Sequence, residues 1–92
     1  MYERTTVIVN STGLHARPAA TFIKCSKGFS SEITIRNLSV DPPQEGNAKS
    51  MLGVLKLAMT KGVKVSICAQ GDDEQVAVDT LIDLIDSGFD EE

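Results

Sequence analysis

The chain has one histidine, His15, and no tryptophan in 92 residues. Two cysteines, Cys25 and Cys68, stand far apart with no CxxC spacing. That excludes a disulfide scaffold, and with a single histidine the chain offers too few ligands near either thiol for a zinc site. Both cysteines are expected as reduced thiols, and no metal or cofactor is implied. Aromatic residues make up only 4% of the chain, so the core must be aliphatic. No apolar run approaches the roughly 20 residues that cross a bilayer. The opening Met1-Tyr2-Glu3-Arg4 lacks the apolar core of a signal peptide, which points to a cytoplasmic protein. Bases are missing from the C-terminal end: residues 71–92 hold nine acids and no Lys or Arg, whereas all nine Lys and Arg lie in residues 1–70 with only four acids. The net charge of −4 and the absence of a long basic or aromatic-rich stretch argue against nucleic acid. The basic side chains left around the N-terminal half suit a phosphoryl group or an acidic partner surface.

What is present has the size and composition of one small domain, residues 1–92, with 41% hydrophobic residues. Thr5 to Asn10 is rich in β-branched residues and predicts a strand. Ala16 to Lys27 predicts a helix with an apolar side of Leu14, Ala19, Ala20, Phe22 and Ile23, stopped by Gly28. Glu32 to Arg36 alternates, Ile33 and Ile35 against Glu32, Thr34 and Arg36, as in a strand with one wet face. Leu38-Ser39-Val40 offers at most a short strand. Asp41 to Asn47 predicts a loop, because Pro42 and Pro43 lack ladder donors. Ser50 to Lys61 predicts a helix with Ser50 as N-cap and Gly62 as stop. Val63, Val65, Ile67 and Ala69 alternate with polar residues in another one-sided strand. Asp72 or Asp73 is expected to cap a last helix running to about Asp86, with Val76, Ala77, Thr80, Leu81, Leu84 and Ile85 facing the core and Gly88 beyond its end. The expected architecture is α+β, an open-faced β-sandwich. Its antiparallel sheet has four strands, the third short or irregular, and three helices cover one face in the order β-α-β-β-α-β-α.

The stretch Gly13-Leu14-His15-Ala16-Arg17-Pro18-Ala19 carries the chemistry. Pro18 is tolerated in a first helical turn, since the N–H it lacks would have had no partner there. His15 therefore falls at the helix start, where free N–H groups and the helix dipole favour an anion. The N–H groups of Ala16 and Arg17 are candidate anion donors, and the Arg17 guanidinium adds a planar fork suited to phosphate oxygens. Alone, a histidine at a helix start is an ordinary cap or packing residue. The combination is what indicates a nucleophilic imidazole that carries a phosphoryl group. The second helix holds Met51, Leu52, Val54, Leu55, Leu57 and Ala58, more apolar residues than one buried stripe needs.

This chain resembles the HPr family, the histidine-containing phosphocarriers of the phosphoenolpyruvate-dependent sugar phosphotransferase system. The resemblance rests on Gly13 to Ala19, on Lys49-Ser50-Met51-Leu52-Gly53-Val54, and on chain length and element order; it covers nearly the whole chain except residues 38 to 47. It implies a phosphoprotein that is a carrier rather than an enzyme. His15 would take the phosphoryl group, on Nδ1, from phosphorylated enzyme I and pass it to enzyme IIA domains of sugar permeases, with Arg17 stabilising charge as the group moves. It implies regulation through phosphorylation of Ser50 by an HPr kinase/phosphorylase, with a transcriptional regulator as a further partner. It also implies a partner-binding patch at Met51, Leu52 and Leu55, with Lys24, Lys27, Lys49 and Lys56 at its rim, on a monomer. The alternatives are a binding module controlled through Ser50, and a carrier of a nitrogen-related or dihydroxyacetone-type branch.

Overall fold

The computed structural model describes residues 1–90; Glu91 and Glu92, the end of the acidic stretch, lie outside them. Strands β1 (Tyr2–Val7), β2 (Glu32–Asn37), β3 (Gln44–Asn47) and β4 (Lys64–Gln70) form one antiparallel sheet in the order β1-β4-β2-β3. Helices α1 (Ala16–Lys27), α2 (Met51–Leu55) and α3 (Glu74–Asp86) complete the α+β sandwich, and a single 3-10 turn follows at Gly88–Asp90. Register fixes the core face: Ile33 stands opposite Ala69 and Ile35 opposite Ile67, all four buried. The helices add Leu14, Phe22, Val54, Leu81, Ile82 and Ile85, so the core is aliphatic apart from Phe22 and the partly accessible Phe89. Among the described residues no helix is long and apolar enough to cross a membrane.

Several expectations are corrected. β1 begins at Tyr2, before the β-branched run. Its early residues carry polar groups that reach α3 instead of apolar groups that fill the core. The Tyr2 hydroxyl and the Arg4 guanidinium both donate to the Asp79 carboxylate, at 3.0 and 2.9 Å, and the Thr6 hydroxyl donates to Asp86. Residues 38–40 form no strand, whereas Gln44–Asn47, expected as loop, pairs with β2. Pro42 and Pro43 lie in the turn ahead of it, where the Asp41–Pro42 bond is cis, so they remove no ladder donor.

The second helix is five residues long and ends at Leu55 instead of Lys61. Tertiary bonds claim the backbone beyond it: Leu57 O accepts from Asn37 Nδ2 at 2.9 Å and Met59 O from the Leu14 N–H at 2.8 Å. Gly46 of β3 and Gly53 of α2 meet backbone to backbone; a Cβ on Gly46 would stand 2.2 Å from Gly53 O. In α3 the buried residues are Ala77, Val78, Leu81, Ile82 and Ile85, while Val76 and Thr80 face solvent. In α1, Ala20 is exposed.

Candidate functional site

Residues 8–14 bring the chain from β1 to the start of α1. Ile8 N–H donates to Val63 O and Ile8 O accepts from Gly62 N–H, at 3.0 and 2.8 Å, tying the loop's base to the approach to β4. Gly13 N–H donates to Asn10 O at 3.2 Å, and the buried Asn10 returns a bond from Nδ2 to Gly13 O at 2.9 Å. Gly13 sits at φ +67, and a Cβ there would stand 2.3 Å from Met59 O. Only glycine allows this approach. Met59 O then receives the Leu14 N–H, and the Leu14 side chain is wholly buried. The residue before His15 is thus fixed by both backbone and side chain.

His15 is the N-cap of α1, with extended backbone at φ −132, ψ 159, and its half-buried side chain makes no capping hydrogen bond. Ala16 follows at φ +53, a left-handed value that an L-residue adopts at a cost of about 1–2 kcal/mol. Arg17 and the buried Pro18 are the next helical residues. Pro18 has no N–H, so the N–H groups of Ala16 and Arg17 are the donors left at this end of the helix. The Arg17 side chain is exposed, and among the described residues no ion pair engages it. An imidazole, two free N–H groups at the positive end of a helix and an unpaired guanidinium therefore share one corner of the molecule.

α2 packs beside α1. Ser50 is its N-cap, and Oγ accepts from the Gly53 N–H at 3.1 Å. Val54 points inward and is fully buried; Leu52 is 81% exposed, Met51 41% and Leu55 37%. Lys24 and Lys27 are exposed in the last turn of α1, where positive charge suits the helix C-terminus, and Lys56 is exposed at the end of α2. Lys49 differs from these: its Nζ donates to Phe29 O at 2.7 Å, which ties it to the turn after α1.

Electrostatics away from this corner are structural. Asp73 is the N-cap position of α3 but makes no side-chain cap. Its carboxylate instead accepts from the Ser31 hydroxyl and from the N–H groups of Ser30 and Ser31, which holds its pKa at about 2. The bonds from Arg4 and Tyr2 lower Asp79. Cys25 and Cys68 are free thiols, each pushed up by burial. Among the described residues no group of three His, Cys, Asp or Glu could hold a metal ion. Sequence reasoning missed Met59, because its part is played by a main-chain carbonyl and no side-chain pattern advertises that.

A sheet of this order with a histidine-headed first helix defines a class, and the comparisons agree with it. The family profile described as the PTS HPr component phosphorylation site matches residues 2–87, and the chain belongs to this HPr family, whose members are phosphocarriers of the phosphotransferase system rather than catalytic enzymes. The chain is 45% identical to phosphocarrier protein HPr of Haemophilus influenzae over 85 residues, 92% of this chain and 95% of that protein. It is 37% identical to phosphocarrier protein NPr of Escherichia coli over 90 residues, 98% of this chain and 97% of that one. A crystal structure of HPr-C-His from Thermoanaerobacter tengcongensis superposes with a TM-score of 0.92 at 44% identity, covering 100% of this chain and 99% of that one.

Proposed function

We propose that His15 accepts a phosphoryl group from phosphorylated enzyme I and delivers it to enzyme IIA domains of sugar permeases. The observation that carries this reading is the corner itself: an imidazole that makes no capping bond, beside the Ala16 and Arg17 N–H groups and an Arg17 guanidinium that no ion pair engages among the described residues. The lone pair of a neutral ring nitrogen attacks phosphorus. The bond from phosphorus to the donor group breaks, and its electron pair leaves with the donor. Such transfer needs positioning and charge stabilisation more than covalent help. The N–H groups and Arg17 face the phosphoryl oxygens where negative charge crowds. Onward transfer reverses these roles. The exposed Met51, Leu52 and Leu55 beside α1 are the docking patch on this reading, with Lys24, Lys27 and Lys56 around it and Lys49 contributing through its fixed ammonium. Ser50 is the regulatory phosphorylation site for an HPr kinase/phosphorylase, and its modified form engages a transcriptional regulator. The carrier works as a cytoplasmic monomer.

The test is incubation with enzyme I and labelled phosphoenolpyruvate. Acid-labile, base-stable label lost in a folded His15→Ala protein is the expected result; undiminished label in that variant would sink the assignment. The likeness to NPr favours a second reading, service in a nitrogen-related branch. Faster labelling by that branch's enzyme I than by the sugar system's would select it.

A further inference from the structure

Alternation along β2 sets Ile33, Ile35 and Asn37 on the face the helices cover. The first two are what such a face requires. The third is an amide, only 4% exposed and paired across the sheet with the fully buried Val65. A buried amide is costly unless its hydrogen bonds are made. Asn37 makes them in two directions: Nδ2 donates to Leu57 O at 2.9 Å, and Oδ1 accepts from the Ser39 N–H at 2.9 Å. The Ser39 hydroxyl oxygen accepts from the Lys64 N–H at 2.9 Å, so the turn after β2 is itself anchored to β4.

Leu57 opens the irregular segment between α2 and β4. Leu57 and Met59 are 2% and 0% exposed, and Ala58 between them stands at φ +50. A left-handed L-residue persists only where its surroundings over-determine it. The Leu57 and Ala58 N–H groups close the end of α2 on Val54 O and Leu55 O at 3.1 and 3.2 Å; toward the rest of the fold the segment is held by the Asn37 bond to Leu57 O and by the Leu14 N–H on Met59 O at 2.8 Å. Leu14 is the residue before His15. A core amide of β2 and the backbone that presents the imidazole are therefore linked through three residues and two hydrogen bonds.

We propose that Asn37 is a positioning residue for phosphoryl transfer. It fixes Leu57 and Met59, and through Met59 holds Leu14, the imidazole and the first-turn donors in register. The inference rests on the His15 reading above. It concerns transfer rather than docking, because α2 precedes Leu57 and has its own supports, the Ser50 cap and the contact of Gly53 with Gly46.

Two substitutions in the full-length chain test this. Asn37→Leu keeps the branched skeleton of the side chain, with somewhat bulkier ends, and deletes both bonds. Asn37→Asp keeps the acceptor for Ser39 and, at neutral pH, deletes the donor to Leu57. Each is compared with Val78→Ala, a core change in α3 that lowers stability away from this path. The measurements are transfer from phosphorylated enzyme I as a function of carrier concentration, and protection of the Leu14 N–H from hydrogen exchange. In both variants the transfer rate at saturation should fall about tenfold or more, as expected for a misplaced reacting group. The half-saturating concentration should stay within about twofold, and Leu14 protection should fall about tenfold, consistent with the loss of a local hold. Val78→Ala should leave the saturated rate unchanged. Unchanged rate and protection in the Asn37 variants, equal rate loss in Val78→Ala, or failure of both Asn37 variants to fold would each overturn the proposal. If only Asn37→Leu fails to fold, Asn37→Asp decides. A wild-type chain that takes no label on His15 would instead overturn the underlying reading, before any Asn37 variant is compared.

Discussion

Gly13 and Met59 meet main chain to main chain, with room for no more than a hydrogen: a Cβ on Gly13 would lie 2.3 Å from the Met59 carbonyl oxygen. Gly13→Ala must therefore push the two segments apart and also hold alanine at positive φ. The expected loss is at least about 2 kcal/mol in urea denaturation. Because Leu14 hangs from the same carbonyl, transfer to His15 should fall further than the lost stability accounts for. A variant that melts and transfers like wild type would show that the close approach is dispensable.

Arg17→Ala should slow transfer by about tenfold or more while stability stays within about 0.5 kcal/mol, since the side chain is exposed and among the described residues no ion pair engages it. Arg17→Lys should recover only part of the rate, because a point charge lacks the fork of donors. Rapid-quench transfer kinetics distinguish this from weakened docking, which would show in the concentration dependence instead.

Leu52→Asp and Val54→Ala should behave oppositely. Leu52 is 81% exposed and Val54 0%. The first should weaken binding to enzyme I with stability changed by no more than about 0.5 kcal/mol. The second should cost more than about 1 kcal/mol through the cavity it leaves. Calorimetric binding and melting on the same samples check both. Unfolding of Leu52→Asp would remove that residue from the patch.

Ser50 accepts from the Gly53 N–H, so Ser50→Ala should cost about 1 kcal/mol and Ser50→Asp little or nothing. The aspartate should still reduce transfer from enzyme I, by placing charge beside Met51 and Leu52. If long-range repulsion is the cause, added salt restores the rate; if desolvation of the patch is the cause, it does not. Transfer unchanged by Ser50→Asp would leave Ser50 as a cap alone.

The Asp73 pKa, held at about 2 first by the Ser31 hydroxyl and then by the N–H groups of Ser30 and Ser31, sets a pH dependence. A carboxyl whose folded pKa is depressed stabilises the fold above its unfolded pKa of about 3.9, and that contribution is lost as pH falls through the folded value. Melting temperature should therefore fall between about pH 4 and pH 2, and Asp73→Asn should flatten that slope. Asp79, lowered by Arg4 and Tyr2, has the same sign and should keep part of the slope in the variant. Parallel curves for the two proteins would remove Asp73 from the account.

The sequence made β2, β4, α1, the Ser50 cap and the place of His15 at a helix start readable, because each is written in side chains at regular spacing or in helix-start residues. Its errors lie where local pattern does not decide the outcome. The Ser50–Lys61 pattern is periodic enough for a helix, but Leu57 and Met59 spend their carbonyls on Asn37 and Leu14, and those partners lie 20 and 45 positions away in the chain. Val76 and Thr80 were placed on the core face because their spacing fits a helix stripe as well as that of Val78 and Ile82 does. Only packing against the sheet chooses between them. Pro42 and Pro43 count against a strand only when they sit within it, and β3 starts at Gln44.

The contact of Gly46 with Gly53 has a consequence for how the molecule can change. α2 is seated by the close approach of Gly53, by the Ser50 cap and by the buried Val54, and none of these involves the side chains it displays to solvent. If Met51, Leu52 and Leu55 form the docking patch proposed above, exchanging them should change partner preference while the loop that carries His15, held on Met59, keeps its geometry. On that proposal recognition and chemistry would be separately adjustable on one small scaffold, and a library randomised at those three positions should shift partner preference with the fold intact.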